Sequence, residues 1–450
     1  MTWTFWCVSR PDWQPKKKVH KPLDFDRGIP YLWITQTQDD MKIKLLAVGD
    51  DIRGFSGMGR QLRKVLCGLL ATGRYDIAGV ACTNHPKSMD MAVFEGIRLY
   101  PAKEHGTMDD FRRIIAAEHP QIVLALGDPR TLTQLFMMDN EIRSTAKFLL
   151  WHVWDNGPYP KFNAPLYACC DRIITFSNFS HKLLEDGGTP NDCIPCSVDP
   201  KEFYPLPESV IQSGRRELFA TANGREINFL AFWNNRNGNR KRLIDTLTAF
   251  KEFSKVHPDS MLFVNTDARD LEGVDVMTVV DELEGTDSPI VFNFKRMPTE
   301  QLNVLYNIAD VTINISYWEG FGLSIAESLA CGTPVICTRT GGMPEQAETE
   351  RGPAGIILDP LARFMFGTIE VPYIYQDFVS VEQVVEALNI SYENSRRGLA
   401  KGWEDSTGER GRQHILKHFH SDDMIRKFDE LFTEEAAKAI TFRVWRTLKI

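Results

Sequence analysis

Ser316-Tyr-Trp-Glu-Gly-Phe-Gly-Leu-Ser-Ile-Ala-Glu327 carries two glutamates, Glu319 and Glu327, eight residues apart. The apolar run Asp310-Val-Thr-Ile-Asn-Ile-Ser316 before the first of them reads as a buried parallel strand. Gly332-Thr-Pro334 ends the helix that follows, and Val335-Ile-Cys337 opens the next strand. Strand, glycine loop and helix start together make an anion site. Free backbone N–H groups and the helix dipole point at whatever sits over Gly322, Leu323 and Ser324, and Gly320 and Phe321 of the same loop join them as expected ligand-binding residues. Two carboxylates flanking such a site suit a ligand with a phosphate in the middle and hydroxyls at both ends. A nucleotide-sugar has that form, with its sugar at Glu319 and its ribose at Glu327.

Working outward, the same strand–helix alternation fills the chain. Strands are expected at Ile43–Val48, Ile77–Ala81, Ile122–Leu126, Phe148–Val153 and Arg172–Phe176, with helices such as Gly59–Leu70 and Asp109–Ala117 between them. A polar stretch from Tyr204 to Glu226 reads as a linker. A second series begins at Ile227–Phe232 and continues through Met261–Asn265, Ile290–Phe294, Val311–Ile315, Pro334–Cys337 and Gly355–Leu358. The fold class is therefore α/β, with two doubly wound parallel sheets. Residues 1–40, with Lys16-Lys-Lys18 and several prolines, form an N-terminal extension. A first Rossmann-like domain spans 41–210, a second spans 220–425, and 426–450 form a C-terminal helix and tail.

Composition bounds the class of protein. With 43% apolar and 25% charged residues the 450-residue chain can bury a core. A net charge of −8 argues against a wholly basic nucleic-acid binder, though not against a local basic groove. No apolar run approaches ~20 residues, so a membrane-spanning helix is not expected, and the N-terminus lacks the basic start of a signal peptide. Nine scattered cysteines suit a reducing, cytoplasmic setting. Cys193-Ile-Pro-Cys196 could pair with Cys169-Cys170 around zinc, but the latter two are adjacent rather than spaced and Cys196 falls within another pattern; Asp24-x-Asp26 precedes the first strand, so no metal site is expected.

Glu319-x7-Glu327, Cys331-Gly-Thr-Pro-Val335 and Gly341-Gly-Met-Pro-Glu345 closely resemble the signature of the retaining glycosyltransferases of family 4. The resemblance implies the GT-B fold, two Rossmann-like domains facing across a cleft, with a C-terminal helix (here Ser421–Ala439) crossing back to the first. By that match the first domain binds the acceptor and the second the nucleotide-sugar donor. Arg236 and Lys241, five residues apart at the turn after Ile227–Phe232, would bracket the donor diphosphate, with Arg240 as a third cation. His152 would bond a hydroxyl of the donor sugar, and Asp155 is a possible acceptor-side base. Gly57 and Gly59, in Gly54-Phe-Ser-Gly57-Met-Gly59, would face the cleft, and Arg296 and Met297 would meet the base. Ile194-Pro-Cys-Ser-Val-Asp199 resembles a family segment whose usual glycine is here Ser197, and it reads as structural.

The reaction so implied is retaining transfer from a nucleoside-diphosphate sugar to a hydroxyl, with Glu319, His152, Arg236 and Lys241 as catalytic residues and neither metal nor resident cofactor. Phe232-Trp-Asn-Asn-Arg-Asn, Asn265-Thr-Asp-Ala-Arg-Asp270 and Val371-Pro-Tyr-Ile-Tyr375 look like a branch of the family in large tailed bacteriophages and environmental bacteria. The acceptor stays open between a glycan and hydroxymethylated DNA. A DNA acceptor would call for a basic face, to which Arg53, Arg60, Arg63 and Lys64 could contribute. The other alternative is a sugar-nucleotide-binding protein that has lost turnover. Oligomeric state is not encoded in these features.

Overall fold

The alternation of apolar strands and amphipathic helices folds into two separate parallel sheets. The computed structural model describes residues 42–83, 90–222, 224–283, 289–369, 371–398, 401 and 406–440. The expected extension 1–40 and the Asp24-x-Asp26 tract lie outside them.

The first sheet has the order β3-β4-β2-β1-β5-β6-β7-β8. Its strands are β1 (Ile43–Asp50), β2 (Tyr75–Thr83), β3 (Ala92–Phe94), β4 (Ile97–Lys103), β5 (Ile122–Gly127), β6 (Lys147–His152), β7 (Arg172–Thr175) and β8 (Asp192–Cys193). Only the edge strand β3 runs antiparallel to its neighbour. The central β1, β5 and β6 carry near-continuous apolar runs because helices cover both faces. The second sheet has the order β11-β10-β9-β12-β13-β16 and is parallel throughout. It comprises β9 (Phe229–Asn234), β10 (Ser260–Asn265), β11 (Ile290–Asn293), β12 (Val311–Asn314), β13 (Val335–Thr338) and β16 (Gly355–Leu358). A two-residue ribbon, β14 (Glu348–Thr349) with β15 (Gly352–Pro353), precedes the last of these.

In each sheet the order reverses beside the first strand, between β1 and β5 and between β9 and β12. Loops leaving the C-terminal ends of such strands diverge and open a crevice, the usual ligand position in open α/β sheets. In the second sheet those loops hold Arg236 to Lys241 and Ser316 to Gly322.

Three features differ from the sequence reading. The expected linker contains a helix, Glu208–Phe219, which carries Arg215 onto Asp310 at 2.7 Å. An antiparallel hairpin, β17 (Ala362–Phe366) with β18 (Ile374–Phe378), follows β16 and had no counterpart in the expected strands. Ser197 needs no glycine-like backbone: its N–H and C=O each bond the Gln61 side-chain amide at 2.9 Å. At the C-terminus, helix Ser421–Ala437 lies on the first half. Phe428 meets Trp151 edge-on at 4.7 Å, and Tyr75 donates to Asp429 at 2.7 Å.

Candidate active site

Helix Leu323–Ala330 begins at Gly322, whose φ of +90° lets the chain turn sharply from the Glu319 loop into the helix. The glycine N-cap has no side chain to satisfy the first helical amides, so they stay available to an anion. Ser324 is buried, its hydroxyl accepting from Asn314 at 3.2 Å. Phe321 and Leu323 pack in the core, and the Phe321 carbonyl accepts from the Gln346 amide.

Glu319 sits one turn ahead of this helix in a cluster of four charges. Its Oε2 meets the Lys241 ammonium and accepts from Arg240 Nη1 at 3.1 Å. Arg240 also donates to the Trp318 carbonyl at 2.9 Å, and Asp155 from the first half lies 3.9 Å from its guanidinium. Burial opposes the Glu319 carboxylate, but Lys241 and Arg240 outweigh it and hold its pKa down at about 2. Burial, followed by the charge of Arg240, pushes the Lys241 ammonium below its ordinary value. Burial also raises the Asp155 carboxyl, although Arg240 opposes the rise.

Glycines let the two halves meet here. A Cβ on Gly320 would strike the Phe176 ring and come within 2.6 Å of Asp155 Oδ1. One on Gly341 would fall on the carbonyls of Glu319 and Asp155. Gly57, at the start of helix Gly57–Ala71, faces Leu323: an added Cβ would lie 2.8 Å from its Cδ1. Gly59 is required by its own turn, where a Cβ would meet Ser56 Oγ and the Asp51 carbonyl.

Not every sequence candidate joins this cluster. Arg236 turns away from Glu319, donating to both Asp270 oxygens at 2.6 and 2.9 Å, and is more than half exposed. Arg240 takes the place beside Lys241. His152 is fully buried, and its Nε2 pairs with the Tyr167 hydroxyl at 2.8 Å. Burial holds its pKa down at about 3, so the imidazole is neutral, and its surface is sealed from the cleft. Arg296 stacks 5.1 Å over the Phe55 ring, across from the first-half loop, and Met297 packs against the core beside it.

Glu327 is 4% exposed and held from both sides. Arg60 Nη2 donates to Oε1 at 2.6 Å, and the Tyr306 hydroxyl donates to Oε2 at 2.8 Å. Asn234 donates to Tyr306 Oη at 2.7 Å. A cavity of about 750 Å³ opens beside Glu327, lined by Arg60, Lys64, Glu202, Tyr204, Thr299 and Asn303. Tyr306, on helix Thr299–Ile308, and the role of Asn234 are not legible in the sequence, because the chain Asn234–Tyr306–Glu327 exists only once the fold brings the three together.

The four basic residues considered for a DNA face are each paired: Arg53 with Asp51, Arg60 with Glu327, Arg63 with Glu95 and Lys64 with Glu202. Among the described residues no helix is long and apolar enough to cross a membrane, and no group of three or more His, Cys, Asp or Glu is placed to hold a metal ion.

Residues 228–362, which hold every strand of the second sheet, match the sequence model of the family described as glycosyl transferases group 1. A D-inositol 3-phosphate glycosyltransferase of Corynebacterium jeikeium is 31% identical over 176 residues, 37% of this chain and 39% of that relative. The match thus spans well under half of the relative's length. Sucrose-phosphate synthase from Thermosynechococcus elongatus is similar over 88% of this chain and 98% of its own, with a TM-score of 0.65 at 17% identity. Anabaena HepE, solved in complex with UDP-glucose, is similar over 87% of this chain and 100% of its own, with a TM-score of 0.64 at 14% identity. These likenesses show the fold to be GT-B, two Rossmann-like domains of parallel sheet and helix.

Proposed function

We propose that the protein is a retaining glycosyltransferase of family 4 that moves a sugar from a nucleoside-diphosphate sugar to a hydroxyl, in the cytoplasm and without a metal or resident cofactor. The observation that carries this is the buried Glu319–Lys241–Arg240 cluster at the start of helix Leu323–Ala330. The donor diphosphate would lie over the amides of Leu323 and Ser324, with Lys241 and Arg240 neutralising the charge that develops on the leaving group. Arg236, on the rim, is free to exchange its carboxylate partners for a phosphate oxygen. Glu327 would take the ribose, and Arg296 and Met297 the base.

Glu319 is held in an ion pair and orients the sugar hydroxyls rather than attacking. The bond from the anomeric carbon to the phosphate oxygen breaks as the acceptor oxygen bonds on the same face. The acceptor proton passes to the departing phosphate oxygen. His152, sealed in the first half, supports Tyr167 and the loop around Asp155 in place of touching the sugar. Arg53 and Arg63 sit in exposed ion pairs of the same kind as Arg236, so the acceptor hydroxyl stays open between a glycan and hydroxymethylated DNA, and salt-sensitive binding of DNA would favour the second.

The test is a panel of UDP-, GDP- and ADP-sugars, followed by thermal shift and by slow donor hydrolysis. One donor should raise the melting temperature and release its diphosphate. A shift without turnover would identify an inactive binding protein. Neither effect with any donor would overturn the reading.

A further inference from the structure

We infer that Arg60, carried by the acceptor half, is a positioning residue that completes ribose recognition in the donor half. This deepens the proposed function and rests on its reading of Glu327 as the ribose clamp. Arg60 lies on helix Gly57–Ala71, 267 residues from Glu327 in sequence, yet its guanidinium is 2.6 Å from Oε1. The other carboxylate oxygen is fixed by Tyr306, itself fixed by Asn234. Two donors from opposite sides hold the carboxylate in one plane. Each oxygen keeps a lone pair for a further hydrogen bond, so two vicinal hydroxyls can bind side by side.

One of those two donors belongs to the other domain. Glu327 is 4% exposed, so losing Arg60 would leave a buried carboxylate without its countercharge and held through Tyr306 at one oxygen alone. The helix is delivered to this place by contacts on both sides of the cleft. Gly57 faces Leu323, Phe55 stacks on Arg296, and Gly68 faces Ile425 of the C-terminal helix. Arg60 lines the same cavity as Glu327, and its buried Nε has no acceptor among the described residues, which leaves one donor in reserve there. Glu202 also faces Arg60 but is itself paired with Lys64 at 3.1 Å. The donor half therefore reads a ribose fully only when the acceptor half is in place.

The experiment is calorimetric titration of the full chain with UDP, GDP and ADP, then with the 2′-deoxy counterpart of the diphosphate that binds. Wild type should prefer the ribonucleotide by about tenfold or more, the scale of a hydrogen bond to a charged group. Arg60→Gln should lose most of that preference, as should Glu327→Ala, and the double variant should be no worse than Glu327→Ala alone. Arg60→Lys should recover part of it, since a lysine supplies the charge without the guanidinium's geometry. Melting temperatures of all variants separate loss of preference from loss of fold. If Arg60→Gln and Arg60→Lys keep the wild-type preference while Glu327→Ala loses it, the inference about Arg60 is wrong and the donor reading stands. If Glu327→Ala keeps the preference, or wild type binds no nucleoside diphosphate, the donor reading itself fails.

Discussion

Lys241 and Arg240 both contact one oxygen of Glu319 in a largely buried site, with Lys241 and Glu319 nearly covered and Arg240 reaching the surface. Charges preorganised in such a place act more strongly than in water. Lys241→Ala and Glu319→Gln should each lower kcat by about 10²–10³, measured with the donor found in the panel. Arg240→Ala should lower it more than Arg236→Ala, because only Arg240 lies at the cluster; equal losses would return Arg236 to the first rank. The spacing that singled out Arg236 and Lys241 was legible, but spacing does not encode which way a long side chain turns. Asp270 and Glu272, brought up by another loop, decide that for Arg236. Asp128, just after β5, gives a pH test. Burial raises its carboxyl to about 6, against bonds from the Arg130 N–H and the Asn163 amide. A carboxyl raised in the folded state favours folding at low pH, and that contribution is lost as pH rises through 6. Asp128→Asn should therefore stabilise the protein at pH 8 by on the order of 2 kcal/mol, and by far less at pH 4. Thermal unfolding at the two pH values checks the sign.

The elements around the site were legible to different degrees. β12 reads as a strand from the short β-branched run between Asp310 and Ser316, and all four of its residues are buried. The helix Glu208–Phe219 has no fully buried residue, so its polar sequence looked like linker. β17 and β18 pair with each other rather than with a sheet, and Phe366 and Ile374 pack with Trp318 of their own half and Trp154 of the first. Nothing local announces such a partner. The glycines of the Glu319 loop were visible as a motif, but their reason is tertiary. Gly341→Ala would combine a left-handed φ of +50°, a strain of roughly 1–3 kcal/mol, with a collision against two carbonyls that forces the backbone to shift as well. It should displace Glu319 and raise the donor KM. Gly238→Ala lies close by in sequence to Lys241, has open space for its Cβ and should leave the unfolding midpoint unchanged. A matched pair of unfolding curves and KM values tests the contrast, and equal behaviour would count against the close-approach argument.

At the scale of the molecule, the chain passes between halves twice at one place. Val198 donates to the Phe419 carbonyl at 2.8 Å, and Ser421 donates back to the Val198 carbonyl at 3.1 Å. The helix beginning at Ser421 then becomes part of the first half's core. Phe428 is fully buried against Trp151 of β6, the strand that ends at His152. Arg172, on the neighbouring β7, reaches the helix through Glu435 at 3.1 Å. Phe428→Ala should therefore cost about 3–5 kcal/mol, and the loss should appear in the first half although the residue lies near the chain's end. Hydrogen exchange of peptides from β5 and β6 should accelerate, while peptides from β12 and helix Leu323–Ala330 keep their protection. A saturating donor tests the same division from the other side. At about a hundred times Kd it adds roughly 2.7 kcal/mol to the folded state. In the variant that gain should appear mainly as added protection of the Glu319 and Gly341 loops, with β5 and β6 still fast. If Phe428→Ala instead loosens both sheets equally, the halves unfold as one unit, and the C-terminal helix fastens the whole molecule rather than the acceptor half alone.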